Sequence, residues 1–210
     1  MFGIENYLGF ILAGLLLNLT PGADTMFILT RSVSQGQRAG LYSVLGIATG
    51  GLVHTVLASL GLSIILSQSH FLFVTVKYVG VGYLIYIGLK MLNEKSNLFD
   101  NKSQKLATDS LFKIYRQGVF TNVLNPKVAL FFISFLPQFI NPEYTKGPLP
   151  FLLLGLTFVT TMTLWYVVLA YSASLFTHAL RDNESIGKIM QRVSGCVFIA
   201  LGIKLLVDKK

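Results

Sequence analysis

Six apolar runs constrain this 210-residue chain more than anything else in it. They cover about 7–30, 40–66, 71–92, 118–140, 149–176 and 187–207, each close to the roughly 20 residues that cross hydrocarbon as a helix. Charged residues are 12% of the chain, against about 25% in an ordinary soluble domain, and the mean hydropathy is +0.64. In lipid every backbone polar group must be satisfied internally, so runs of this length predict helices. The expectation is an all-α integral membrane protein with six transmembrane helices. No basic residue precedes the first run, Glu5 lies in its flank and no A-x-A-like site follows, so that run is expected to stay as a span rather than act as a signal peptide.

A net charge of +8 on a soluble chain would point to nucleic acid; here the placement of the charges matters more. Arg31 and Arg38 follow the first run. Lys90, Lys95, Lys102, Lys105, Lys113 and Arg116 surround the third gap, and Arg181, Lys188 and Arg192 the fifth. The alternate gaps, 67–70 and 141–148, contain only Lys146. The positive-inside rule therefore places both termini outside the cytoplasm, with Lys204, Lys209 and Lys210 counting against that orientation without reversing it. The lone Cys196 rules out an internal disulfide, a CxxC redox pair and a zinc cluster.

Two runs are interrupted. "LTPGAD" at 19–24 and "LNPKVA" at 124–129 each set a proline inside an apolar stretch, where it removes a backbone donor and clashes with the preceding turn. Aligning Pro21 with Pro126 brings Leu19 over Leu124, Phe27 over Phe132 and Ile28 over Ile133; farther on, "IGLKML" at 87–92 matches "LGIKLL" at 201–206. Two anchors in the same order predict two three-helix repeats, 1–92 and 113–210, joined by a cytoplasmic linker at 93–112. Three is odd, so the second repeat enters the membrane from the other side. An inverted repeat with helices 1 and 4 interrupted at the midplane is a transporter signature.

Thr20 reads as an N-cap with Pro21 at the first helical position, and Asn125 with Pro126 repeats that pattern. Two half-helix N-termini would then meet at the bilayer centre and favour a carboxylate. Asp24 is the only acidic residue well inside a run, and Lys127 directly follows the second break. Ionisable groups at that depth are costly and point to a site; a purely structural pair between the two, or an Asp24 that caps its own helix, is the alternative. Thr20, Pro21, Gly22, Asp24, Asn125, Pro126 and Lys127 are the candidate substrate- and proton-binding residues. His54, in "GGLVHTVLASLG", is either a proton relay or a packed core histidine. Lys77 reads as a side chain that snorkels to the interface. Gly46, Gly50, Gly51, Gly61, Gly80, Gly82 and Gly88 read as close-packing positions.

"NLTPGADTMFI", "GIATGGLVH", "KYVGVGYLIYIGLK", "TNVLNPKVALFF" and "FLPQFI", in this order over nearly the whole chain, resemble the LysE/RhtB family of bacterial amino-acid exporters. The resemblance implies efflux of amino acids or related metabolites (homoserine, threonine, leucine or lysine-like substrates) across the bacterial cytoplasmic, or inner, membrane, driven by proton entry. The family often has a second proline after the glycine, where Ala23 stands here. The expected partners are an amino acid, protons and lipid; no cofactor, metal or nucleic acid is expected, and a homo-oligomer is compatible with the pattern. In the mechanism expected, the helix N-termini and Lys127 hold the carboxylate while Asp24 takes the amino group and the coupling proton in alternation. An exporter of a metal or other small cation is disfavoured by the shortage of ligands. A membrane enzyme or scaffold is disfavoured because "NEKSNLFDNKSQKLATDS" contains no nucleophile–base arrangement and a scaffold needs no matched breaks.

Overall fold

The computed structural model describes residues 2–68, 70–93, 109–141 and 147–173, with individual helical positions between 189 and 207; at several positions between 64 and 91, Lys77 among them, only the backbone is described. Most of the linker expected at 93–112, and Lys146, lie outside the described residues.

The described part is all-α. Helix α1 (Tyr7–Leu19) and α2 (Ala23–Gln35) form one bent pair, and α5 (Leu111–Val123) and α6 (Pro126–Leu130) another; α3 (Gln37–Gln68), α4 (His70–Asn93) and α7 (Leu149–Tyr171) are continuous. Two stretches, Gln37–Ser63 and Leu149–Tyr171, are each long and apolar enough to cross a membrane, and the bent pairs bring the number to four. The bend is 53° between α1 and α2 and 45° between α5 and the stretch Pro126–Phe139. Leu8, Leu12 and Leu16, four residues apart on α1, are exposed, as are Leu164, Val168 and Tyr171 on α7. Apolar stripes of this length turned outward suit lipid and not water.

After α6 the helix loosens into a π-helical turn, Phe131–Phe135, and then a 3₁₀ turn, Leu136–Phe139. Pro137 lacks an amide, and the neighbouring Gln138 donates its Nε2 to the Ser134 carbonyl one turn back at 2.7 Å. The wider π turn lets Phe131, Phe132 and Phe135 all reach the core. Phe131 stacks on Phe158 of α7 at 4.7 Å between ring centres, and Phe139 meets Phe10 of α1 at 5.3 Å. This aromatic block fills one end of the bundle.

Helix α3 is held between α5 and α7. A Cβ at Gly46 would lie 3.0 Å from the Gly118 Cα, and one at Gly118 would lie 2.9 Å from the Ser43 carbonyl oxygen, so the α3 and α5 backbones touch there. Gly46→Ala must push the helices apart. We expect a loss of about 1–3 kcal/mol, read as earlier thermal unfolding in detergent. Gly61 and Gly82, expected to pack closely, instead have nothing within 4 Å of a Cβ position among the described residues, so Gly61→Ala should not lower the transition.

Candidate functional site

The two prolines set the local chemistry of the breaks. Pro21 holds Thr20 in an extended conformation, with φ −67° and ψ 120°, and Thr20 closes α1: its backbone N–H reaches Leu16 and Leu17, and its hydroxyl donates to the Leu16 carbonyl at 2.8 Å. The expectation that Thr20 caps the second half-helix is therefore corrected. Gly22 occupies the N-cap of α2 without a side-chain bond, and Pro21 lies in the break rather than at the first helical position. A hydroxyl next to an unfinished helix end finds a carbonyl closer than the next helix's amides.

The second break does follow the expected capping pattern. Asn125 is the N-cap of α6, its Oδ1 accepts from the Lys127 amide at 3.0 Å, and Pro126 follows in the first turn. That amide is satisfied internally, so the free N–H groups at the breaks belong chiefly to the first turn of α2.

A proline also orphans the carbonyl four residues before it. For Pro126 that carbonyl belongs to Asn122; it accepts from the Asn125 amide at 2.9 Å and from His54 Nε2 at 3.1 Å. Because a carbonyl only accepts, the His54 proton on this bond is on Nε2. His54 is buried and stacks on Phe132 at 5.7 Å between ring centres, so it packs against the second break from α3.

The breaks touch each other. Lys127 Nζ donates to the Thr20 carbonyl at 2.7 Å, the acceptor freed when α1 stops, and a Cβ at Gly22 would sit 3.7 Å from the same Nζ. Asp24, 2% exposed, accepts from Asn122 Nδ2 at 2.8 Å. Lys127 and Asp24 are within electrostatic reach, but Lys127 is bonded to Thr20, and the side chains of Asn122 and Asn125 are the hydrogen-bonding neighbours of Asp24. The buried Tyr166 of α7 lies beside Thr25 and Asp24.

What this arrangement leaves undone is informative. Asp24 Oδ1 and Asn122 Oδ1 are buried with no hydrogen-bond partner, as is Asn18 Nδ2 two residues before the break. An unmet buried polar atom costs about 1–3 kcal/mol. Several around one pair of helix breaks suit a small polar solute that supplies the missing partners. Among the described residues, no three His, Cys, Asp or Glu side chains come together.

Sequence reasoning missed two further polar groups. At the far end of α2, Arg31 donates to Asp109 Oδ2 and to Gln117 Oε1, both at 2.8 Å, and lies 5.7 Å from the centre of the Phe27 ring; Lys113 Nζ reaches Asp109 Oδ1 at 2.6 Å. The Lys113 and Arg31 contacts hold the Asp109 carboxyl below the usual carboxylate range. At the opposite end, the segment before α1 pairs with the end of the 3₁₀ turn. Glu5 N–H donates to the Phe139 carbonyl and Asn141 N–H to Gly3, each at 2.8 Å, and Asn141 Nδ2 donates to Glu5 Oε1 at 2.8 Å. An arginine at the end of an apolar run is the available signal for the first; by position alone it reads as a loop charge.

The LysE type translocator family profile matches residues 15–209. The chain belongs to the LysE/RhtB family of bacterial membrane translocators. A Bacillus subtilis (strain 168) relative, the uncharacterized membrane protein YrhP, is 35% identical over 210 residues, covering 96% of this chain and 98% of its own. The leucine efflux protein of Klebsiella pneumoniae is 28% identical, with 97% and 96% covered, and the uncharacterized membrane protein PA4757 of Pseudomonas aeruginosa is 28% identical, with 97% and 95% covered. No solved structure matches. Membership makes this translocator a membrane transporter of an efflux-related family and not an enzyme.

Proposed function

We propose that this translocator exports amino acids or their derivatives from the bacterial cytoplasm by proton antiport, through a site at the junction of the two breaks. One observation carries the reading: Lys127–Thr20 and Asn122–Asp24 tie the breaks together, yet buried polar atoms beside them lack partners. The leucine efflux protein among its relatives supports an amino-acid substrate. Lys127 and the free amides at the start of α2, opposite the bare Gly22, take the carboxylate. Asp24 takes the ammonium or the proton. One carboxylate serving two ligands in turn couples opposite fluxes, because neither binds while the other is present. Liposomes holding the purified protein test the reading: a pH step should drive a labelled amino acid uphill, and a protein inert toward the whole set of common amino acids overturns it.

The architecture proposed is six spans in two inverted repeats, 1–92 and 113–210, around this junction. In the matching topology the Arg31–Asp109 cluster lies at the cytoplasmic face and the Gly3–Asn141 pairing at the outer face. With both ends fastened, the substrate space is closed to both sides, and transport requires the two to release alternately. In a background without Cys196, single cysteines at Gln35 and Lys105 should label from the cytoplasm and one at Lys146 from outside; labelling of Lys146→Cys from the cytoplasm alone reverses the topology.

Lys127→Ala should weaken carboxylate-bearing substrates by about tenfold or more and their amides much less, since only the carboxylate uses the ammonium. Competition by an amino acid and its amide in the same vesicles reads the ratio. Equal losses make Lys127 a strut for Thr20.

A further inference from the structure

Asn122, near the end of α5, is bound through both its backbone and its side chain. Its carbonyl, the one orphaned by Pro126, accepts from His54 Nε2 of α3 at 3.1 Å and from the Asn125 amide at 2.9 Å. Its Nδ2 donates to Asp24 Oδ2 of α2 at 2.8 Å. The residue is fully buried, and Gly50 of α3 stands close behind it: a Cβ at Gly50 would lie 2.7 Å from the Asn122 Cβ and 2.8 Å from its Oδ1. With the backbone tethered and the space behind it closed, the carboxamide has little room to swing away. Nor can it turn over, because a carboxylate only accepts and must face the NH₂ group.

A donor fixed on one oxygen does two things to a buried carboxyl. It persists when the other oxygen takes a proton, since the remaining C=O still accepts, so the group keeps one orientation in both states. It also favours the charged form, the better acceptor, and so sets how strongly a proton must compete for the site. The titratable groups facing Asp24 among the described residues are Lys127 from α6, His54 from α3 and Tyr166 from α7, and the neutral Asn125 lies beside it. Lys127 is bonded to Thr20, and His54 to the Asn122 carbonyl. We propose that Asn122 is a positioning residue for Asp24, braced by His54: the chain His54–Asn122–Asp24, across α3, α5 and α2, sets the pH range in which the carboxylate exchanges proton for substrate. This rests on the antiport reading above and deepens it, and it makes His54 a brace and not a proton carrier.

The full chain in liposomes tests the proposal. The common L-amino acids are screened first, and initial rates of uphill movement of the best of them are measured from about pH 5 to pH 8 at a fixed pH step. Asn122→Ala removes the donor, so protons compete better at any given pH and the profile should move to higher pH by about one unit, the shift expected when a hydrogen bond to a charged group is lost. His54→Gln, whose Nε2 still donates to the Asn122 carbonyl, should keep the wild-type profile. His54→Leu, of similar bulk but with no donor, should move it in the same direction as Asn122→Ala, and the two His54 variants decide the matter if Asn122→Ala does not fold. Variants that slow export at every pH without moving the profile make Asn122 a strut between α2 and α5 and overturn the proposal, leaving antiport standing. Loss of pH-dependent export in His54→Gln overturns it as well, because the ring would then carry the proton. A wild type that moves no amino acid, or moves one without regard to pH, overturns the antiport reading and the proposal with it.

Discussion

On the antiport proposed above, Asp24→Asn should abolish proton-driven export while the protein still inserts and folds. The amide is the same size as the carboxylate, and its oxygen can accept from Asn122 Nδ2 at the 2.8 Å contact, so the tie between α2 and α5 survives. What is lost is the charge and the titration. The new NH₂ group stands where a buried acceptor stood, facing a substrate ammonium that also donates. Losing a hydrogen bond to a charged group costs about 1.5–3 kcal/mol, a roughly tenfold to hundredfold weaker site. Substrate-for-substrate exchange, which moves no net proton, should persist at a reduced rate. Asp24→Glu should keep coupling with a displaced pH optimum, because the group still titrates one methylene deeper in the space. Uphill export in liposomes is the measurement. If Asp24→Asn keeps both accumulation and its pH dependence, the carboxylate is architectural, and His54, whose ring contacts the second break, becomes the first candidate for the proton.

Arg31→Ala should open the end of the bundle that the proposed topology turns to the cytoplasm. Arg31 joins the C-terminal end of α2 to Asp109 and Gln117, and no other described contact between those segments carries opposite charges. Truncation leaves Asp109 with Lys113 in the first turn of the adjoining α5, which does nothing to hold the two broken spans together. A cysteine at Thr121, one turn from Gln117 toward the break, should then react several-fold faster with a thiol reagent supplied from that end. Transport should fall because the closed arrangement is no longer populated between openings. Unchanged labelling sinks the fastening. Acid should not mimic the variant. The Asp109 carboxyl, bonded first to Lys113 and then to Arg31, titrates below the usual carboxylate range. A depressed native value means that the contribution is fully present above the unfolded pKa and is lost only as pH falls through the lower one. Between about pH 5 and pH 8 the fastening stays charged, so pH dependence of transport in that window comes from elsewhere.

Membrane class, the two breaks, and an acid and a lysine at their edges were legible in the sequence because each follows from local physics. Hydrocarbon admits only long apolar helices, proline removes a donor wherever it stands, and a charge in an apolar run is costly whatever surrounds it. Partners were not legible. Thr20 turned back to Leu16 and did not cap α2; Lys127 took the carbonyl that Thr20 left free; Asn122, 98 residues from Asp24, became that carboxylate's donor. Arg31 likewise found Asp109 across 78 residues. Those choices depend on how each helix is rotated and where it crosses its neighbours. A membrane helix that is apolar on every side carries little periodic signal for its own rotation. Close contacts such as Gly46 against Gly118, and the bends at Pro21 and Pro126, set the rotation, and with it which polar atoms meet and which are left buried for a solute.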